Sequence, residues 1–139
     1  MIILDTNVLS ELMRPAPSEA VIRWVARQPD TSLYTTSITQ AEILYGLALL
    51  PTGRRRSDLL TAAEQMFADD FAGRVLPFDA VAATSFGTIA ARRRQQGRPI
   101  EAFDAQIAAI SSSRGAALAT RNVTDFLDCG LTIINPWDS

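Results

Sequence analysis

Four acidic residues occupy positions where a carboxylate could do chemistry as well as local structural work. Asp5 and Asp125 follow apolar, strand-like runs, and Glu42 and Asp104 lie beside apolar residues in helical patterns. Two like charges about 4 Å apart repel by roughly 4 kcal/mol at an effective dielectric near 20. If the four side chains converge, they must share protons, gain arginine partners or bind a cation. Hard oxygen donors of this kind suit Mg²⁺, with Mn²⁺ as an alternative.

A purely structural role is an open alternative for Asp5 and Glu42. Asp5 precedes a helical pattern and can serve as its N-cap. Glu42 ends a Thr-x-x-Glu capping box, but Ser37 begins a competing box. The strand-like residues before Ser37 favour Ser37 as the N-cap, which leaves Glu42 without a capping role. Because Ile38 and Tyr45 lie close to Glu42 around the helix, we expect its carboxylate near the buried face.

Asp104 and Asp125 have structural alternatives as well. The dipole of a helix favours an acid in its first turn, but Glu101 fits that role better than Asp104 because it need not face inward. Asp125 lies in a turn-like segment with Asn122, and both residue types favour such loops. Asp79 directly precedes an alanine-rich helical pattern, so we expect it to cap that helix and to have no role in a site.

The residue types that are missing exclude most other catalytic chemistries. The chain has no histidine, and all 13 basic residues are arginine. A Ser-His-Asp triad, a Cys-His pair, a Walker A loop and a lysine Schiff base are therefore excluded. Cys129 is the single cysteine, which rules out an internal disulfide, and we expect it near the core. Catalysis by this chain would rest on carboxylates and a divalent cation.

Basic residues are clustered although the net charge is −2. Arginine triplets occur at 54–56 and 92–94, and local patches of this kind can bind phosphate. We interpret 92–94 as a solvated helix end, since cations complement the last turn of a helix. No apolar run is long enough to span a membrane, and MIILD is too short for the core of a signal peptide. We therefore expect a cytoplasmic protein.

Strand and helix patterns alternate along most of the chain. The predicted strands cover 1–5, 31–36, 74–78, 116–120 and 131–135, and the predicted helices cover 8–13, 18–28, 37–50, 54–71, 80–96 and 99–114. This alternation predicts one α/β domain over residues 1–139, a three-layer α/β/α arrangement with a central parallel sheet. Sites in such folds form beyond the carboxyl ends of the strands, where Asp5 and Asp125 are placed.

Four motifs carry a resemblance to a known family. In chain order they are DTN at 5–7, ITQAEILYG at 38–46, DAQIAA at 104–109 and ATRNVTDF at 119–126. Together they resemble the PIN-domain family and, within it, the VapC-type toxins of bacterial toxin–antitoxin pairs. RVLPFD and the closing NPW are similar to the FitB-like branch, and the resemblance runs nearly end to end.

The resemblance implies an Mg²⁺-dependent endoribonuclease that cleaves single-stranded RNA and leaves 5′-phosphate and 3′-hydroxyl ends. The family's site acids carry over onto Asp5, Glu42, Asp104 and Asp125, with Asp5 and Asp104 holding the metal most directly. Some relatives have an aspartate directly after Thr-Arg, where this chain has Asn122. The fourth position is therefore open between Asn122 and Asp125.

The family also implies supporting residues and partners. Thr6 and Thr120 would orient ligands or a water, and arginines would hold the RNA backbone. The expected partners are a second copy in a homodimer and a small antitoxin that blocks the active-site groove. With the antitoxin, the chain would form a complex that can be a larger hetero-oligomer. This complex binds DNA only through the antitoxin. No membrane is involved. The apolar EILYGLALL at 42–50 suits an interface, with a central core helix as the alternative.

Two other functions compete with the ribonuclease. The chain would otherwise be a PIN-fold partner of a DNA-binding antitoxin, acting mainly in a promoter-bound repressor complex with weak or no nuclease activity. A phosphatase of the haloacid dehalogenase type is disfavoured because that chemistry requires a second aspartate two residues after the first. This chain has Asn7 there.

Overall fold

A computed structural model describes residues 1–138 and contains five strands and six α-helices in that range. The strands are β1 (Ile2–Leu4), β2 (Leu33–Thr36), β3 (Val75–Leu76), β4 (Ala117–Ala119) and β5 (Ile133–Ile134). The helices are α1 (Thr6–Leu12), α2 (Glu19–Ala26), α3 (Ser37–Ala48), α4 (Arg54–Gln65), α5 (Ala80–Gln95) and α6 (Ala102–Ser113).

The five strands form one parallel sheet in the order β3-β2-β1-β4-β5. Strand β1 is central, and its Ile2 pairs with Leu33 of β2 and Ala117 of β4. Because all strands run the same way, their carboxyl ends meet at one edge of the sheet. The residues that follow β1 and β4 therefore lie side by side at that edge.

Consecutive residues of β1 face opposite sides of the sheet, as the two-residue period of a strand requires. Ile3 packs in a cluster with residues of α5 and α6, including Ile107, whereas Leu4 packs in a second cluster with residues of α1 to α4, including Leu9. Both faces of the sheet are thus covered by helices. The predicted three-layer α/β/α arrangement is confirmed.

The helix containing Glu42 starts differently from the prediction. Ser37 was expected to be the N-cap of α3, but Thr36 has extended backbone angles and its hydroxyl accepts a hydrogen bond from the Thr39 N–H at 3.0 Å. The prediction of Ser37 is wrong because the last residue of β2 supplies the cap itself. Glu42 has no capping contact, as expected, and is free for other work.

Other local predictions hold, and most elements are shorter than predicted; the exception is α1, predicted over 8–13, which begins earlier, at Thr6. Asp79 caps α5 by accepting from the Ala82 N–H at 2.9 Å, and Cys129 is buried. The predicted helix at 54–71 stops being α-helical at Gln65 and continues as a π-helical turn, Met66–Asp70. Each predicted strand is longer than the strand observed. Within residues 1–138, no helix has the length and apolar character needed to cross a membrane.

Candidate active site

Asp5 is the most deeply buried member of the acidic group. It follows β1 and is the N-cap of α1, so both roles considered for it are present in one residue. Only 4% of its surface is exposed. Its carboxylate accepts from the Thr6 N–H at 2.8 Å, the Thr120 hydroxyl at 2.8 Å and the Asn7 amide at 3.3 Å. Burial raises the pKa of Asp5; these hydrogen bonds oppose the rise, and the nearby Asp125 adds to it.

Asn7 and Thr120 tie the end of β1 to the end of β4. The Asn7 amide nitrogen donates to Thr120 Oγ1 at 3.2 Å, and its amide oxygen accepts from the Arg121 N–H at 3.2 Å. Thr120 is fully buried and also accepts from the Asn122 N–H at 3.1 Å. Asn7 was considered only as the residue that argued against a phosphatase, so this positioning role was missed. Its place two residues after a strand-end aspartate was the available signal.

Glu42 is held by a threonine on another helix. The Thr6 hydroxyl donates to Glu42 Oε1 at 2.8 Å and lies 3.1 Å from the hydroxyl of Thr39. Glu42 is half-buried, and burial is the main cause that raises its pKa. Tyr45 does not face the core as expected, because 68% of its surface is exposed. Glu42 therefore sits at the rim of the core face rather than inside it.

Asp104 is the acid with the strongest electrostatic perturbation. It lies in the first turn of α6, and Ile107 and Ala108 on the same helix are completely buried, as the predicted helix face requires. Its carboxylate accepts no hydrogen bond within residues 1–138. Burial, reinforced by the charges of Asp5, Glu101, Asp125 and Glu42, raises its pKa to about 7.

Asp125 lies in a single 3₁₀ turn, Val123–Phe126, that follows β4. Its side chain is exposed, yet its charge raises the pKa of both Asp5 and Asp104. Asn122 is the N-cap of this turn and contacts Thr120 through its backbone N–H rather than through its side chain. Asp125 thus acts on the other acids through its charge, and its assignment to the fourth position stays a prediction.

Glu101 is an additional acid at this edge, for which the sequence interpretation gave only a favourable interaction with the helix dipole. It is the N-cap residue of α6, but its side chain makes no capping hydrogen bond. Its charge raises the pKa of both Glu42 and Asp104. The spacing Glu-x-x-Asp at the start of a helix was the signal that could have identified it.

Within residues 1–138, the acidic group has no cationic partner of its own. Residues 1–138 form four side-chain ion pairs, and none of them includes Asp5, Glu42, Asp104 or Asp125. Over the same residues, no three acidic or cysteine side chains lie close enough together to hold a metal ion between them. The carboxylates repel across the site without sharing one ligand position. Mg²⁺ fits such a site because it commonly takes one or two carboxylates and keeps several waters.

A groove of about 770 Å³ begins at the Glu42 side of the site. Thr6 and Glu42 are among its lining residues, apolar residues of α3 together with Met13, directly after α1, form much of its wall, and Arg54 and Arg55 of α4 also line it. Of the other triplet, Arg92 and Arg94 are exposed, as expected. Arg93 is not, since only 5% of its surface is exposed, so the interpretation of the whole triplet as a solvated helix end is wrong.

Fold and site together define an α/β protein with an acidic cluster at the carboxyl edge of a parallel sheet. The PIN domain profile matches residues 2–127. The chain therefore belongs to the PIN-domain family, and within it to the VapC- and FitB-type toxins that its motifs resemble.

Curated relatives match over nearly their full length, among them the following three. The VapC ribonuclease Y4jK of Sinorhizobium fredii is 42% identical over 99% of both chains. Toxin FitB of Neisseria gonorrhoeae is 38% identical over 99% of both chains. The tRNA(fMet)-specific endonuclease VapC of Shigella flexneri is 30% identical over 96% of both chains.

Solved structures agree with the sequence relatives. FitAcB from Neisseria gonorrhoeae matches with a TM-score of 0.94 at 37% identity, covering 100% of both chains. FitAB bound to an IR36 DNA fragment matches with a TM-score of 0.92 at 38% identity, covering 99% of this chain and 96% of that one. The backbone that positions the acids is therefore shared with these proteins.

Proposed function

We propose that this chain is the toxin of a toxin–antitoxin pair and that it hydrolyses RNA as an Mg²⁺-dependent endoribonuclease. The observation that carries the proposal is the group of acids around Asp104, which come from different elements and lack a cationic partner within residues 1–138. Ribonuclease and endonuclease relatives of full length support the reaction class.

In this proposal, Asp5 and Asp104 would hold the ion; when bound, it would supply a lower pKa for the attacking water and positive charge beside the scissile phosphate. Hydrogen bonds from Thr6, Asn7 and Thr120 fix the Asp5 carboxylate toward the site. Glu42, oriented by the Thr6 hydroxyl, positions the attacking water. The water oxygen bonds to phosphorus as the bond from phosphorus to the 3′ oxygen breaks, and that oxygen takes up a proton.

The RNA strand enters along the groove that starts at Glu42. Arg54 and Arg55 line this groove and form no ion pair within residues 1–138, so their guanidinium groups are free to bind phosphate oxygens. The other exposed arginines on α5 lie away from the groove lining. These two residues are therefore our candidates for holding the RNA backbone.

Cleavage of RNA by the protein without its partner tests the reaction. Wild-type protein is incubated with single-stranded RNA or tRNA and with Mg²⁺, Mn²⁺ or excess EDTA, beside Asp5→Asn and Asp104→Asn. We expect metal-dependent cleavage that both substitutions reduce by at least about 100-fold, as loss of a central catalytic group does. Asp79→Asn is the matched control, because Asn caps a helix as well as Asp does. Cleavage that both site variants retain would overturn the assigned site.

A repressor-complex role is the second candidate, and the DNA-bound FitAB structure favours it. Here the chain would bind a DNA-binding antitoxin and raise its affinity for promoter DNA, with little or no cleavage. Asp104→Asn distinguishes the two, because it should abolish cleavage while complex formation and DNA affinity stay unchanged. Wild-type protein that tightens antitoxin binding to DNA but does not cleave RNA would leave only this second role.

A homodimer is part of the same proposal. Tyr45 lies on α3 and Leu49, the C-cap residue of this helix, lies one turn further; 68% and 67% of their respective surfaces are exposed. Both belong to the apolar segment at 42–50 that the sequence analysis considered suited to an interface, and a second copy would cover them. Light scattering of the wild type and Leu49→Glu tests this: we expect a dimer and a monomer, respectively.

A further inference from the structure

Arg93 is a buried cation whose contacts all point to one loop or to its own helix end. Its Nε donates to the Arg98 carbonyl at 2.8 Å, and its Nη1 donates to the carbonyls of Asp125 at 2.8 Å and Leu127 at 3.0 Å. The same Nη1 lies 3.6 Å from Cys129 Sγ. One side chain of α5 thus holds the segment that follows β4.

Burial of the Arg93 charge lowers the stability of the fold, so stability alone does not explain an arginine at this position. None of the four ion pairs in the described part of the chain includes Arg93, so carbonyl dipoles alone compensate its charge. Burying a charge costs much more than burying an apolar side chain of similar volume. A methionine here would fill the space without that cost. The arginine offers instead a rigid fork of donors that can span several carbonyls.

The segment it holds has little regular structure of its own. Asp128 has a φ of 60° and Gly130 a φ of 73°, so the chain enters the left-handed region twice within three residues. Phe126 is buried and anchors the segment, and Arg98 pairs with Asp128. The Asp125 side chain makes no hydrogen bond within residues 1–138. Its direction therefore depends on the backbone that Arg93 holds.

We propose that Arg93 is a positioning residue for the acidic site: it fixes the backbone of 125–127 so that the Asp125 carboxylate stays beside Asp5 and Asp104. The inference rests on the proposed function, because it requires Asp125 to contribute to the reaction. It assigns Arg93 to the interior of the protein rather than to an RNA-binding patch.

Hydrogen exchange and kinetics of Arg93→Met test the inference together. We expect faster amide exchange confined to residues 123–128. We expect kcat for RNA cleavage to fall by about 10- to 100-fold, since a small misplacement of a catalytic group has effects of that size. KM should change by less than about 3-fold, because the substitution leaves the groups that bind the substrate in place. Arg94→Met is the matched control. Arg94 is the exposed neighbour of Arg93 on the same helix, so its substitution should alter neither exchange nor kcat.

A double-mutant cycle with Asp125→Asn separates positioning from general destabilisation. If Arg93 acts through Asp125, adding Arg93→Met to Asp125→Asn should lower kcat no further. Unchanged exchange in Arg93→Met, or an equal loss of kcat in both backgrounds, would overturn the proposal. If Arg93→Met does not fold, Arg93→Lys replaces it, since lysine keeps the charge without the fork and should shift exchange in the same direction.

The outcomes also separate this proposal from the proposed function. If wild-type protein does not cleave RNA, the ribonuclease proposal fails, and the exchange of 123–128 still decides whether Arg93 holds the segment. If wild-type protein cleaves RNA and Asp125→Asn cleaves equally well, Asp125 has no part in the reaction. That result overturns the positioning role while leaving the ribonuclease in place.

Discussion

At the scale of residues, the two proposed metal ligands differ in how the protein holds them. Asp5 accepts three hydrogen bonds in a buried position, whereas Asp104 accepts none within residues 1–138. In Asp5→Asn the new amide N–H₂ faces the donors of Asn7 and Thr120, and an unsatisfied buried donor costs about 1–3 kcal/mol. In Asp104→Asn a repelled charge is removed and no acceptor is lost.

We therefore predict that the two substitutions have different effects on the free energy of unfolding at pH 8 in EDTA. Asp104→Asn should stabilise the protein, and Asp5→Asn should leave it no more stable than the wild type. Urea denaturation followed by circular dichroism measures both. Equal stabilisation by the two variants would show that the hydrogen bonds of Asp5 do not offset the cost of its buried charge.

The gain from Asp104→Asn should also depend on pH. The pKa of Asp104 is about 7 in the folded protein against an ordinary value of 3.8, so the unfolded chain loses this proton first as pH rises. Between these values the folded state binds more protons, and stability falls with rising pH. The stability difference between Asp104→Asn and wild type should thus be near zero below pH 4, grow up to pH 7 and level off above it. A difference independent of pH from 4 to 8 would contradict the raised pKa.

Residue types and spacing singled out Asp5, Glu42 and Asp104 because each follows or lies beside apolar residues, and Asp125 because it comes after a strand-like run; that these four acids form the catalytic site stays a prediction. The contacts that orient them were harder to anticipate. The hydrogen bond from Thr6 to Glu42 joins residues 36 positions apart, and Arg93 contacts a segment more than 30 positions away. Such pairs depend on how helices pack on the sheet, which a local pattern does not specify.

At the scale of elements, α4 begins in a way that is unfavourable for a helix. Its first turn contains three arginines and no acid. Its N-cap residue is Gly53, which has no side chain to accept a capping hydrogen bond. Positive charges there oppose the helix dipole by roughly 0.3–1 kcal/mol each. The proposed contact of Arg54 and Arg55 with RNA phosphates would account for this composition of the first turn.

We predict that Arg54→Gln/Arg55→Gln makes the protein more stable but a weaker RNA binder. Binding of single-stranded RNA to the Asp104→Asn background is measured by fluorescence anisotropy at several salt concentrations. Loss of two phosphate contacts should lower the slope of log Kd against log salt by about 1.4. Arg92→Gln/Arg94→Gln is the matched control with the same charge change. An equal slope change in both double variants would indicate a general charge effect instead.

Element types were predictable because the apolar patterns of strands and helices differ in period. Element ends were not, since they are set by contacts that the pattern does not contain. Thr36 caps α3 because β2 leaves it extended, and α4 loses regular α-helical bonding after Gln65 where Phe67 and Phe71 pack into the core. The motif at 104–109 was placed correctly because the buried residues of α6 are themselves helix-forming.

At the scale of the whole molecule, the repulsion among the site acids links metal binding to stability. Strands β1 and β4 and helices α3 and α6 all bring carboxylates to one edge of the sheet, so the folded protein concentrates negative charge that the unfolded chain disperses. A cation that binds only the folded state stabilises it by RT ln(1 + [L]/Kd). At 100 times Kd this amounts to about 2.7 kcal/mol.

We predict that Mg²⁺ or Mn²⁺ raises the melting temperature of the wild type at pH 8 and has little effect on Asp104→Asn. The reason is that the substitution removes both a ligand and part of the charge that attracts the ion. Differential scanning calorimetry against metal concentration measures the shift, and the same ionic strength of NaCl controls for screening. Because the measurement needs neither RNA nor antitoxin, it tests the metal site separately from catalysis. Equal shifts in both proteins would show that the ion binds away from Asp104. A shift that NaCl reproduces would show that no specific metal site exists.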